Sequence, residues 1–486
     1  MDTLEKGRSI SDISNINTSQ VLIIGAGLSG LEAARLLREK GIKTIILEAR
    51  NRTGGRIWSV RSKTGHMFDT GATWIHGIYG SIPNGLLSNP LWDLTQEAKI
   101  PTRGTDIYDI HVGYPFDGNI SETYNWYNEY LSFTKEETRM SSPNISLAYY
   151  ADLYVKQKNL TDKQQHAFYS YLAFTIKFNE GAELNAIGAK NFLSLSSSHY
   201  GDEHIFHKTG FMALTDYLAR DIDDIRFNQV INKITYNDKM VEVRTKNGKI
   251  YQSSFVLLTV PLGVLKAKEI EFIPQLPQWK LDAIDRIGYG FFEKVFLVWE
   301  QAWWNSTNFY FMGMSSNPNN VRYWVNANKW NDKPVLIYFL AGQADFPTRL
   351  KENHDELIEE LRRNLQEMFP DFVVPPPVET FVTHWNEDPF SYGSYSYISV
   401  NQTYEDSLFL SEPIQDRLLF AGEATSIDSY GYAHGALLSA RREVTRLLYG
   451  YELLPIKNIT TSQSILITPL TILFIIQFIF LSFFYY

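Results

Sequence analysis

The chain contains no cysteine in 486 residues, which removes disulfides, thiolate nucleophiles and thiolate metal sites. A reducing compartment is allowed, and no metal is expected. A basic surplus is also missing. Lys and Arg number 45 against 54 Asp and Glu, a net charge of -9. That balance argues against nucleic acid as a partner and is compatible with cationic ligands. Residues 1–20 are polar and lack an apolar core segment, so no secretory leader is expected. Long uncharged apolar runs are scarce until residues 465–486, which carry no charged side chain at all. As a helix they would span about 33 Å, close to the hydrocarbon thickness of a bilayer. The expectation is a C-terminal transmembrane tail anchor behind a polar spacer, 451–464, with the rest of the chain facing the cytosol. Which membrane it enters is not written in the tail.

What is present begins with Val21 to Arg56. Val21 to Ile24 is a strand-length apolar run. It leads into Gly25, Gly27 and Gly30, and then into a helical pattern from Leu31 to Lys40 that Gly41 stops. Lys43 to Leu47 is a second buried-strand candidate, ending in Glu48. This is a βαβ unit with a G-x-G-x-x-G turn, in which a helix N-terminus faces a pyrophosphate and Glu48 accepts from a ribose hydroxyl. A dinucleotide is expected, its identity open at this point. Arg50, Arg52, Gly54, Gly55 and Arg56 follow directly. A second glycine pair suits a larger dinucleotide approached from another side, and Arg56 suits a phosphate.

The run Phe68-Asp69-Thr70-Gly71-Ala72-Thr73-Trp74-Ile75-His76-Gly77 then resembles the flavin-containing amine oxidases, and their polyamine oxidase branch in particular. Three later stretches carry the same resemblance: Val256 to Lys266, Thr383 to Tyr397 with its W-x-x-D-P and G-S-Y-S-Y elements, and Arg417 to Arg442. The resemblance implies FAD held by Gly25, Gly27, Ser29, Gly30, Glu48, Arg50, Gly55 and Arg56 at the adenosine end. It assigns Gly71, Ala72, Thr73, Trp74, Val230, Trp385, Gly422, Glu423, Tyr432 and Ala433 to the remainder. It also implies a fold of α/β plus α+β type. A discontinuous Rossmann-like FAD domain of the GR2 type would use residues 20–85, 203–290 and 411–450. A mixed-sheet substrate domain with helices would use 86–202 and 291–410.

Gly288 to Trp299 reads as a strand with Lys294, Phe296 and Val298 on one face and Val295, Leu297 and Trp299 on the other. A lysine on such a strand must snorkel or find a partner. By resemblance Lys294 holds a water beside flavin N5. Tyr395 and Tyr432 form an aromatic wall on either side of the amine, and His76 faces the substrate tunnel. A helix around Leu160 to Phe178 leads to a loop near Gly181. Lys177 falls where some relatives place a tunnel carboxylate, with Glu180 close by. The expected activity is oxidation of spermine, spermidine or their acetylated forms by hydride transfer to the flavin. Dioxygen is the acceptor, and the products are an aminoaldehyde, a shorter amine and hydrogen peroxide. Monoamine or L-amino-acid oxidation on the same fold is the enzymatic alternative, with Lys177 a conceivable carboxylate partner. A membrane-tethered flavin-bound scaffold is the non-enzymatic one. A histone demethylase is disfavoured because no long helical insertion interrupts the cofactor segments.

Overall fold

A five-stranded parallel sheet supports one half of the molecule, in the order Leu418–Phe420, Phe255–Leu258, Val21–Ile24, Thr44–Leu47 and Ile225–Arg226. The computed structural model describes residues 21–80, 88–106, 109–113, 120–139, 144–195, 201–313, 321–331, 334–342 and 353–450. Four of the sheet's strands are short apolar runs buried almost throughout, as a parallel sheet covered on both faces requires, and the edge strand Ile225–Arg226 is half-buried. Val21, Ile23, Ile46, Phe255 and Leu257 pack beneath the helices Leu28–Glu39, Met212–Ala219 and Ala433–Tyr449. Leu22, Ile24, Leu47, Val256 and Leu258 face the opposite way, onto Ile231, Ile234, Val241 and Val243 of a four-stranded sheet. The expected βαβ unit is therefore present, and its sheet draws strands from three distant parts of the sequence.

The other half is built on a six-stranded sheet in the order Glu379–Val382, Phe292–Val298, Val335–Ala341, Arg322–Asn326, Tyr310–Gly313 and Ile110–Gly113. It is antiparallel except for its last pair. The strand Phe292–Val298 alternates as its sequence predicts. Val295 and Leu297 enter a core closed by the helix His354–Met368, while Phe296 and Val298 enter another in which Phe296 stacks on Phe68 at 4.6 Å.

The helix Leu28–Glu39 is fastened to the last helix through Glu32. This fully buried carboxylate accepts from Arg35 and from Arg441, each at 2.8 Å. Among the described residues no helix is long and apolar enough to cross a membrane. The expected anchor, 465–486, lies outside the described residues, as do the N-terminal tail 1–19 and the spacer 451–464.

Candidate active site

One continuous cavity of about 780 Å³ runs from the glycine turns into a chamber of tyrosines. With the exception of Gly30, every residue expected at the cofactor or at the chemistry lines it: Gly25, Gly27, Ser29, Glu48, Arg50, Gly55 and Arg56 at one end; Gly71, Ala72, Thr73, Trp74, Val230, Lys294, Trp385, Gly422, Glu423 and Ala433 along it; His76, Tyr395 and Tyr432 in the chamber. Gly30 lies behind the turn. A Cβ there would sit 2.0 Å from the Gly25 carbonyl oxygen, so the residue is required for helix–strand approach rather than for contact.

The nucleotide end is preorganised by bonds within the protein. The Glu48 carboxylate accepts from the Ala26 amide at 2.6 Å and the Arg50 amide at 2.8 Å. A carboxylate has about four acceptor sites, so capacity for a ribose hydroxyl remains. The two glycine turns lie back to back, with the Gly54 amide donating to the Ala26 carbonyl at 2.9 Å. Several expected phosphate and ribityl partners are themselves engaged. Arg50 forks onto Asp388 at 2.7 and 3.0 Å, with its guanidinium over the Phe390 ring. Arg56 donates to Glu423 at 2.8 Å and to the Ser394 carbonyl at 2.7 Å. Glu423 also accepts from the Gly431 amide at 2.7 Å and from the Ser396 hydroxyl and amide. The Ser29 hydroxyl donates to the Ala436 carbonyl, tying the first helix to the last. Val230 gives its carbonyl to the Lys246 amide at 2.7 Å.

These residues fit an extended flavin dinucleotide on two structural grounds. A helix N-terminus without a side-chain cap opens at Gly27 on the cavity. Gly27 and Gly422 line the cavity, and a Cβ added at either would meet no protein atom closer than 4.0 Å, so the space a side chain would take is left to a ligand.

Lys294 is buried, and its ammonium donates to the carbonyls of Asp69 (3.0 Å) and Gly71 (2.5 Å) and to Thr73 Oγ1 (2.6 Å). Burial lowers its pKa to about 8, against the opposing charge of Asp69. Burial in turn raises Asp69 to about 6, although Ser59, the Phe211 amide and Lys294 all favour its charged form. An ammonium has three donors, and these three acceptors take them all. To hold a water, Lys294 must give one up, and the Thr73 hydroxyl is the acceptor that can rotate away.

The chamber holds two carboxyl groups. His76 Nδ1 lies 2.9 Å from Glu203 Oε1, and its ring meets Tyr432 edge-on at 5.1 Å. Glu203 carries no motif in the sequence; the pairing of strands Trp74–Ile75 and Glu203–Phe206 brings it beside His76. Glu180, undecided from sequence, lines the cavity, whereas Lys177 does not. Lys177 turns away to Glu183, 2.7 Å from its Oε1. Of the two residues that the sequence leaves open at this position, only Glu180 lines the cavity, and the conceivable carboxylate partner of an amino-acid oxidase lies outside it. Tyr395 donates to the Phe178 carbonyl at 3.1 Å, and the Glu180 charge bears on Tyr395, Tyr430 and Tyr432. Glu180 has no hydrogen-bond or ion-pair partner among the described residues, and burial pushes it up to about 8.

A family model described as flavin containing amine oxidoreductase matches residues 28–448. The chain is 31% identical to probable polyamine oxidase 4 of Arabidopsis thaliana, across 90% of this chain and 89% of that protein. It is 30% identical to polyamine oxidase 2 of the same plant, across 86% and 85%. It is also 28% identical to lysine-specific histone demethylase 1 homolog 3 of that plant, across 91% of this chain but 31% of the relative's length. For homolog 2 the identity is 30% and the share of the relative is 58%. The chain thus spans only part of these demethylase-named relatives.

Glu180 generates a pH prediction. A carboxyl that stays neutral in the fold up to about 8, and ionises near 4.5 when exposed, contributes stability that is present at acid pH and lost as pH rises between those values. The thermal midpoint of Glu180→Gln, measured relative to the parent protein, should therefore climb across that window and level off above it. A difference that is constant with pH would show that the acid is not held neutral.

Proposed function

Because the chain belongs to the flavin-containing amine oxidoreductase family and so uses FAD, we propose that it oxidises polyamines, spermine or spermidine or their acetylated forms. The observation that carries this reading is the pair of carboxyl groups, Glu180 and Glu203, bearing on Tyr432 in one tyrosine-lined chamber. A substrate with several ammonium groups along one flexible chain can meet both; a monoamine cannot.

Bound FAD supplies the redox chemistry, accepting a hydride from the carbon beside the amine nitrogen and passing the electrons to dioxygen as hydrogen peroxide. The protein's part is to hold, desolvate and orient. Tyr395 and Tyr432 present ring faces to the amine and exclude water, which favours the neutral nitrogen that the reaction needs. Glu180 accepts from a distal ammonium and ionises as that cation arrives. His76, fixed by Glu203, borders the same chamber. Lys294 holds Asp69 to Thr73 in place and offers a donor to a water when Thr73 rotates.

Peroxide release from spermine, spermidine, their acetylated forms, a monoamine, an L-amino acid and a methyl-lysine peptide tests the proposal. Polyamine kcat/KM should exceed the monoamine value by about 10²-fold, the worth of one or two charge-assisted hydrogen bonds. A peptide or monoamine that matches the polyamines would sink it. Lys294→Met should keep its flavin absorbance while slowing flavin reduction or reoxidation about 10²-fold in rapid mixing; unchanged rates would remove Lys294 from the chemistry.

We propose further that residues 465–486 anchor the protein in a membrane with the catalytic part in the cytosol, a reading supported by their uncharged composition. Deleting them should move active enzyme to the soluble fraction. A truncated form that stays with membranes would refute the anchor.

A further inference from the structure

The segment that delivers Glu180 is not a uniform helix. Residues Asp162–Leu172 are α-helical, Ala173–Lys177 form a π turn closed by the Phe178 amide donating to the Ala173 carbonyl, and Phe178–Glu180 resume the α form. Such a turn sets the helix back by about one residue, roughly 100° of phase. On an uninterrupted α-helix, Glu180 would lie roughly 180° around the axis from Tyr171 and face away from the cavity. The setback brings it round to the flank of the face that Tyr171, Phe174 and Thr175 present to the chamber.

The turn is pinned at both ends. The Asn179 side-chain amide donates to the Thr175 carbonyl at 2.6 Å. Gly181 caps the helix in the left-handed region at φ 63°, and its carbonyl accepts from the Phe291 amide at 2.8 Å. Lys177, the last residue of the π turn, reaches past this cap to Glu183, with its side chain 6% exposed.

We infer that the Lys177–Glu183 ion pair determines specificity: by tying the π turn to the segment beyond its cap, it keeps the Glu180 carboxyl group in the amine-binding chamber. The inference rests on the polyamine reading above and adds the element that sets it. Lys177 touches neither substrate nor cofactor site; it is a positioning residue. Loss of that register would turn Glu180 away from the distal ammonium of a polyamine and leave a monoamine almost unaffected.

The test uses full-length, FAD-loaded protein and the ratio of kcat/KM for spermine to that for a monoamine with the same secondary nitrogen. Lys177→Met should lower the ratio about tenfold, mainly through the spermine KM, as expected for one misplaced charge-assisted contact. Flavin absorbance should persist, and Lys177→Arg should restore the ratio. An unchanged ratio, or an equal loss on both amines, overturns the inference. If Lys177→Met yields no folded flavoprotein, Glu183→Gln at the partly exposed partner reads the same ratio. Glu180→Gln separates the two levels of the argument. If it leaves the ratio intact, the polyamine reading itself fails. If it collapses the ratio while the Lys177 and Glu183 variants do not, the reading stands and the register inference falls.

Discussion

The buried ammonium of Lys294 is the constraint around which the site is assembled. A charge withdrawn from water is tolerated only where acceptors replace the solvent, and here they are the backbone of Asp69 and Gly71 and the hydroxyl of Thr73. Those acceptors lie more than 220 residues away from a lysine on the six-stranded sheet. Satisfying one cation therefore docks the loop that lines the middle of the cavity onto the strand Phe292–Val298. That docking brings the Gly71 backbone against Arg56, leaving no room for a side chain. The lysine has a chemical role in the proposed reaction, but its geometric role comes first.

The same logic runs through the cofactor end. Arg50 and Asp388 are 338 residues apart, Arg56 and Glu423 367, and Ser29 and Ala436 407. Charged and hydroxyl side chains that a motif would hand to the dinucleotide are bonded instead to distant parts of the chain. What they supply to a ligand is a rigid lining of backbone amides and glycine surfaces, already ordered before binding. Arg50 and Arg56 line the cavity while their donors hold its walls.

Local signals were enough for the nucleotide unit. Val21 to Ile24, the glycine turn and Glu48 state their structure within thirty residues, because strand length, helix spacing and turn chemistry are all short-range. The alternation of Val295 to Trp299 was equally readable, since a strand has one period and an error would invert every side chain. The chamber was not readable in this way. Glu203 reaches His76 through the pairing of two strands more than 100 residues apart, and nothing near it in sequence announces the contact. The position of Lys177 rested on resemblance alone, which carries no information about helix phase. The π turn Ala173–Lys177 sets that phase just before Glu180, and no residue pattern announces it.

The position of Glu180 also accounts for its unusual state. A carboxylate in a chamber of tyrosines, with no cation among its described neighbours, is disfavoured in its charged form, and the side chain accordingly keeps its proton up to about 8. An arriving ammonium changes the balance. In the proposed reaction it would supply the missing partner and lower the pKa, so that binding would be coupled to release of a proton at neutral pH. Glu180 itself then brings no charge to the empty chamber and half of a matched pair to the occupied one. A permanently ionised acid would call for a resident counter-cation, and a lysine in its place would exclude the substrate. A neutral acid that ionises on demand satisfies both states of the chamber.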